Sequence, residues 1–229
     1  MKTAKSLSWR GVTALVVLVA ASVFGLAFQA RSAGAEIGST PQNNFWGVDG
    51  IASAQTNNFN AQVWAIEQID NVMYVGGKFT DVRGGGTNYP QPYIAAFEAS
   101  TGRWLDWWTP DINGPVYALR ASADGSTLFV GGEFTTVNGA NVPAFAALDP
   151  ITGVSKTDWT TRVNGGGPAV VREMKYGPDG LLYVVGSFNN ASENGSVENA
   201  YNAVRINTSN GNIDSGWKPV VSGGSVWDL

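Results

Sequence analysis

Six carboxylates stand outside any recurring pattern in this chain: Asp81, Asp106, Asp111, Glu173, Glu193 and Glu198. Two acids suffice for glycoside hydrolysis, one protonating the leaving oxygen and the other acting as nucleophile or base, and that chemistry needs no histidine. The chain has no His and no Cys, which removes Ser-His-Asp and Cys-His catalysis and His-ligated zinc. Nothing in the spacing of the six acids selects a pair. No catalytic, cofactor-binding or metal-ligating residue is therefore assigned. A carbohydrate-active enzyme of glycoside hydrolase type, drawing acids from several parts of the fold, stands as the alternative reading.

Flat aromatic side chains offer a second chemistry, stacking against a ligand. Trp108, Trp159 and Trp217 each lie six residues past a turn glycine, at Gly102, Gly153 and Gly211, and a position filled the same way in every repeat reads as packing. Trp104 and Trp107 occur in one repeat only and are the candidate ligand-binding residues. The glycine pairs Gly76-Gly77 and Gly131-Gly132 lack the following helix that a phosphate loop needs, so they read as a bulge or close approach between strands. Asp124-Gly125 and Asp179-Gly180 lack the alternating carboxylates of a calcium loop and read as turns.

The elements that must position these residues emerge from the composition and the repeat. Among 229 residues there are 29 Gly, 9 Trp, 7 Tyr and 10 Phe, with 14% charged, which suits short aromatic-rich strands joined by tight turns. Val63-Trp64-Ala65-Ile66 recurs at Val116-Tyr117-Ala118-Leu119, at Val171-Arg172-Glu173-Met174 and at Val226-Trp227-Asp228-Leu229. Each of the first three copies leads to a glycine-ending strand (Tyr74 to Phe79, Phe129 to Phe134, Tyr183 to Phe188). A variable loop and a further short strand follow (Ile94 to Glu98, Phe145 to Asp149, Ala203 to Asn207). Four short strands per repeat is the content of one propeller blade. The expected fold is all-β, a β-propeller of four-stranded blades with about three repeats present and an incomplete ring, as in a fragment. The repeats are 63–115, 116–170 and 171–225, with a fourth starting at 226. Residues 36–62 are a lead-in in which Phe45-Trp46 could form a ring-closing strand.

The second copy, with FVGGEFTTVNG over Phe129 to Gly139, AALDPITG over Ala146 to Gly153, and then Trp159, resembles the delta-60 repeat family. The resemblance covers about residues 63–229. It implies a β-propeller in a secreted or surface bacterial protein and carries no catalytic residues with it. The third copy departs from the pattern, with Val185 for the first Gly and Asn189 to Asn199 in place of the T-x-V-N-G loop.

Lys2, Lys5 and Arg10 precede an uncharged apolar run from Gly11 to Phe28, and Ala33-Gly34-Ala35 supplies the small residues of a cleavage site. Residues 1–35 thus read as a signal peptide cut after Ala35, with membrane contact only through that segment if it stays uncleaved. The chain is expected to be secreted, extracellular or on the cell surface. Of 14 basic residues the segment holds four (Lys2, Lys5, Arg10, Arg31) and no acid, so the mature chain has 10 basic and 18 acidic residues and a formal charge of −8. That charge argues against nucleic acid as a partner. The expected function is a non-catalytic binding, recognition or scaffold module, without a cofactor, whose unknown extracellular ligand is a glycan or a protein. Specificity is expected in the loops that fail to repeat, Asp81 to Gln91 and Asn189 to Asn199.

Overall fold

Among the described residues, every regular element is a strand. The computed structural model describes residues 46–50, 61–164, 167–221 and 224–229; the expected signal peptide, its cleavage at Ala35 and Phe45 lie outside these residues. The lead-in holds β1 (Trp46–Asp49), and the first repeat holds β2 (Gln62–Ile69), β3 (Val72–Lys78), β4 (Asp81–Gly84), β5 (Thr87–Pro90) and β6 (Ile94–Glu98). The second holds β7 (Val116–Ala121), β8 (Leu128–Gly132), β9 (Thr136–Val137), β10 (Ala140–Asn141) and β11 (Phe145–Leu148). The second also ends with β12 (Arg162–Asn164), and the third holds β13 (Val170–Tyr176), β14 (Leu182–Ser187), β15 (Asn190–Glu193), β16 (Ser196–Asn199), β17 (Ala203–Asn207) and β18 (Asn212–Ile213).

Three antiparallel sheets share one strand order: β2-β3-β6, β7-β8-β11 and β13-β14-β17. Only the third gains a full fourth strand, β18; the others close with single bridges, Phe97 to Trp104 and Leu148 to Ser155. The expected four strands per repeat are thus three in the first two main sheets and four in the third. Each first strand is bulged at the same place, where the register shifts between Val63 and Ala65, Val116 and Ala118, and Val171 and Glu173. The extra residues Trp64, Tyr117 and Arg172 stack across the sheets. The Trp64 and Tyr117 rings are 4.8 Å apart, and the Arg172 guanidinium lies 5.0 Å from Tyr117 and 4.0 Å from Trp227.

The segments expected as irregular loops are β-hairpins. The β4–β5, β9–β10 and β15–β16 pairs turn through Gly85-Gly86, Asn138-Gly139 and Asn194-Gly195, every one of these residues having positive φ. That is the two-residue hairpin turn whose twist matches the strands, and it selects Asn-Gly and Gly-Gly. The third copy, whose loop sequence departs from the other two, forms the same hairpin. Each hairpin also pairs with a strand that precedes its own sheet: β4 with β1, β15 with β12, and Val137 with Ile112 through a single bridge. Trp46 thus lies in a strand taken up by the first hairpin.

Consecutive sheets stack through two apolar layers. Tyr74, Ile94, Ala96, Leu105 and Trp108 of the first repeat meet Val116, Leu119, Leu128, Val130 and Leu148 of the second. Phe129, Phe145, Ala147 and Trp159 then meet Val171, Met174, Leu182, Val184 and Ile206 of the third. A side chain of this kind stabilises by about 1.5–3 kcal/mol when fully buried. The glycine pairs make the close approach possible. A Cβ on Gly76 would sit 2.5 Å from Val116 Cγ1 and one on Gly131 2.5 Å from Val171 Cγ1, while one on Gly77, Gly132 or Gly186 would strike a backbone oxygen within 2.1 Å. The second glycine of each pair is thus fixed by its own bulged sheet and the first by the next sheet.

Candidate functional site

The structure separates the two tryptophans that the sequence had grouped. Trp104 is buried among Phe79, Val82, Ala95 and Phe97, its ring 5.8 Å from Trp46 and 5.3 Å from Tyr89. That places it in the core, out of a ligand's reach. Trp107 is 57% exposed. The recurrent tryptophans pack as expected: Trp108 lies 5.0 Å from Tyr74, Trp159 4.8 Å from Phe129, and Trp217 5.1 Å from Tyr183.

Trp107 borders a cleft of about 410 Å³ between the first two main sheets. Leu105 and Tyr74 lie in its apolar wall, Ile151 borders it from the second repeat, and Asp70, Asp149 and Lys156 supply its charge. A cleft of about 380 Å³ occupies the corresponding place between the second and third sheets, lined by Ser122, Asp124, Asp158, Trp159, Thr208 and Ser209 among others. Position by position, Trp107 corresponds to Asp158 and Gly216, and Ile151 to Ser100 and Ser209. The scaffold thus accepts small or polar residues at both places, yet the first cleft carries a large apolar side chain at each, with Ile151 77% exposed. Folding does not require them there. Trp107 was legible in the sequence as a singleton. Ile151, Asp70, Asp149 and Lys156 were missed, although aligning the repeats at this turn would have marked Ile151.

The charges at the cleft are set by the turns. Asp149 Oδ1 accepts from the Ile151 amide at 2.9 Å, the Thr152 amide at 2.8 Å and the Thr152 hydroxyl at 3.0 Å. Partial burial pushes this carboxyl up, but the Thr152 and Ile151 hydrogen bonds and nearby Lys156 outweigh it and hold the group below the usual carboxylate range. Lys156 Nζ donates to Thr127 Oγ1 at 2.9 Å and to the Ser126 carbonyl at 3.1 Å. Tyr74 donates its hydroxyl to the Pro150 carbonyl at 2.7 Å. Burial first, then Asp149 and Asp70, push the Tyr74 phenol up to about 12.

Four of the six acids are each tied to a separate partner, and Asp106 and Asp111 stand exposed. Asp81 accepts from the Thr80 hydroxyl, Glu173 pairs with Arg120 at 3.2 Å, Glu193 accepts from the Ile213 amide, and Glu198 pairs with Lys218 at 3.3 Å. Among the described residues, no three acids group closely enough to hold a metal ion. Asp124 is spent on its own turn, where hydrogen bonds from Ser122 and Ser126 hold its carboxyl down to about 2. No protein-family model matches the chain, and no curated protein matches it either.

Proposed function

We propose that this chain is an exported, non-catalytic binding module built from consecutive β-propeller blades, as the resemblance to the delta-60 repeat family implies. It engages an extracellular glycan or protein through the cleft beside Trp107. The observation that carries this reading is the contrast between constant scaffold and one deviant cleft. Strand order, bulge and hairpin turn recur with all three main sheets, and an apolar layer joins each consecutive pair, whereas the exposed Trp107 and Ile151 do not recur. A rigid repeated frame with local departures is the usual arrangement for recognition.

The test is a retention screen of the purified protein against glycan and extracellular-protein arrays, run beside Trp107→Ala. Retention of one class by the parent and its loss in the variant is the expected result. Retention that ignores Trp107 moves the site elsewhere, retention of nothing makes the module a spacer, and release of reducing sugar ends from a glycan replaces binding with hydrolysis.

A further inference from the structure

We infer that the cleft beside Trp107 receives an organic cation on an apolar stem, an amine or guanidinium of the lysine or arginine type. The inference rests on the reading of this cleft as the binding site and names what it takes.

The hairpin turns of the three main sheets contain Asp70, Asp124 and Asp179; Asp179 engages both carboxylate oxygens locally and Asp124 engages Oδ1. Asp124 accepts from Ser122 and Ser126, and Asp179 from the Leu181 amide, Tyr183 and Arg205. Asp70 stands exposed at the cleft, and its carboxylate has no hydrogen bond or ion pair among the described residues. Asp149 uses only Oδ1 for its turn, which leaves Oδ2 without a contact among the described residues. Among the described residues, the one cation lining the cleft, Lys156, is already engaged with Thr127 and Ser126. Two carboxylates against one occupied ammonium give the cleft a net negative charge, and after burial, the larger cause, both add to raising the Tyr74 phenol.

An anion or a neutral ligand gains nothing from that charge. A cation gains from both carboxylates and from the Trp107 face, since indole is the best cation–π partner. The apolar edge formed by Ile151 and Leu105 suits the methylene stem of such a group, which packs along apolar surface while its head stays among polar groups. The acidic balance of the whole chain, −4 as given, favours the approach of a cation.

The experiment uses the whole protein labelled with 5-fluorotryptophan, the Trp107 resonance being assigned by its loss in Trp107→Phe. Probes are N-acetyl-arginine amide, its uncharged citrulline counterpart, and a flexible peptide of alternating Gly and Arg. The arginine probe is expected to shift the Trp107 signal saturably, with affinity falling as salt is raised, and the citrulline probe to do so at least about tenfold more weakly. Asp70→Asn is expected to weaken arginine binding about fivefold, equal to about 1 kcal/mol, without moving the thermal midpoint. Much tighter binding of the peptide assigns the cation to a basic polypeptide, and equal binding per Arg assigns it to a free amine. Equal shifts by arginine and citrulline probes, or no effect of Asp70→Asn, overturn the inference. If the cation probes fail while a glycan or protein is retained through Trp107, the binding reading survives and this ligand class falls. If nothing is retained at all, both fall.

Discussion

Tyr74 couples burial, a cross-sheet hydrogen bond and the charge of the cleft in one side chain. Its hydroxyl bonds the Pro150 carbonyl of the next repeat, so Tyr74→Phe leaves a buried acceptor without its donor. The expected cost is about 1–3 kcal/mol, measured as a shift in the denaturant midpoint at constant m-value. The sign of its pH effect follows from the raised pKa. Below the ordinary value of 10 the phenol is protonated in both folded and unfolded chains, and its full contribution is present. Between 10 and about 12 the unfolded chain releases the proton first, so stability falls as pH rises. Tyr74→Phe is expected to flatten that alkaline limb in a series of unfolding curves. Trp107→Ala is expected to leave stability within about 0.5 kcal/mol, because Asp158 and Gly216 fill the same position elsewhere.

Among the strands, burial separates residues that the sequence makes look alike. Ile66 and Leu119 occupy the same place in β2 and β7, yet Ile66 is 58% exposed and Leu119 fully buried between sheets. Leu119→Ala is expected to cost about 2–5 kcal/mol and Ile66→Ala less than about 1 kcal/mol, read from paired unfolding curves. Gly131→Ala is expected to cost about 1–3 kcal/mol, because the new methyl meets Val171 in the adjacent sheet. The strand pattern was legible because the turn glycines, the V-x-A-L start and the Trp offsets are local signals. The hairpins were not recognised as strands. β4, β5 and β15 carry polar residues without strict alternation, and only the Asn-Gly and Gly-Gly turns gave them away. The bulge was foreseen only as one reading of the glycine pairs, since it depends on the opposite strand.

At the scale of the whole molecule, stability comes from stacked sheets without any disulfide, the chain having no cysteine. Reductant is expected to leave the thermal midpoint unchanged. The sequence carried the all-β class, because that is written in short apolar and aromatic runs between turn residues. It marked Trp104 and Trp107 equally, because solvent exposure is a property of packing: only the stacking of Trp104 on Trp46 and Tyr89 tells them apart. The cleft charges were likewise invisible, since Asp70 and Asp149 lie far apart in sequence and meet only across two sheets. On the proposed reading, function resides where one repeat departs from the others. The most direct measurement is ligand retention by Trp107→Asp, which gives the first cleft the residue that the second repeat carries at Asp158. The account predicts a variant with unchanged thermal midpoint that no longer retains the parent's ligand. Retention equal to the parent's would contradict it.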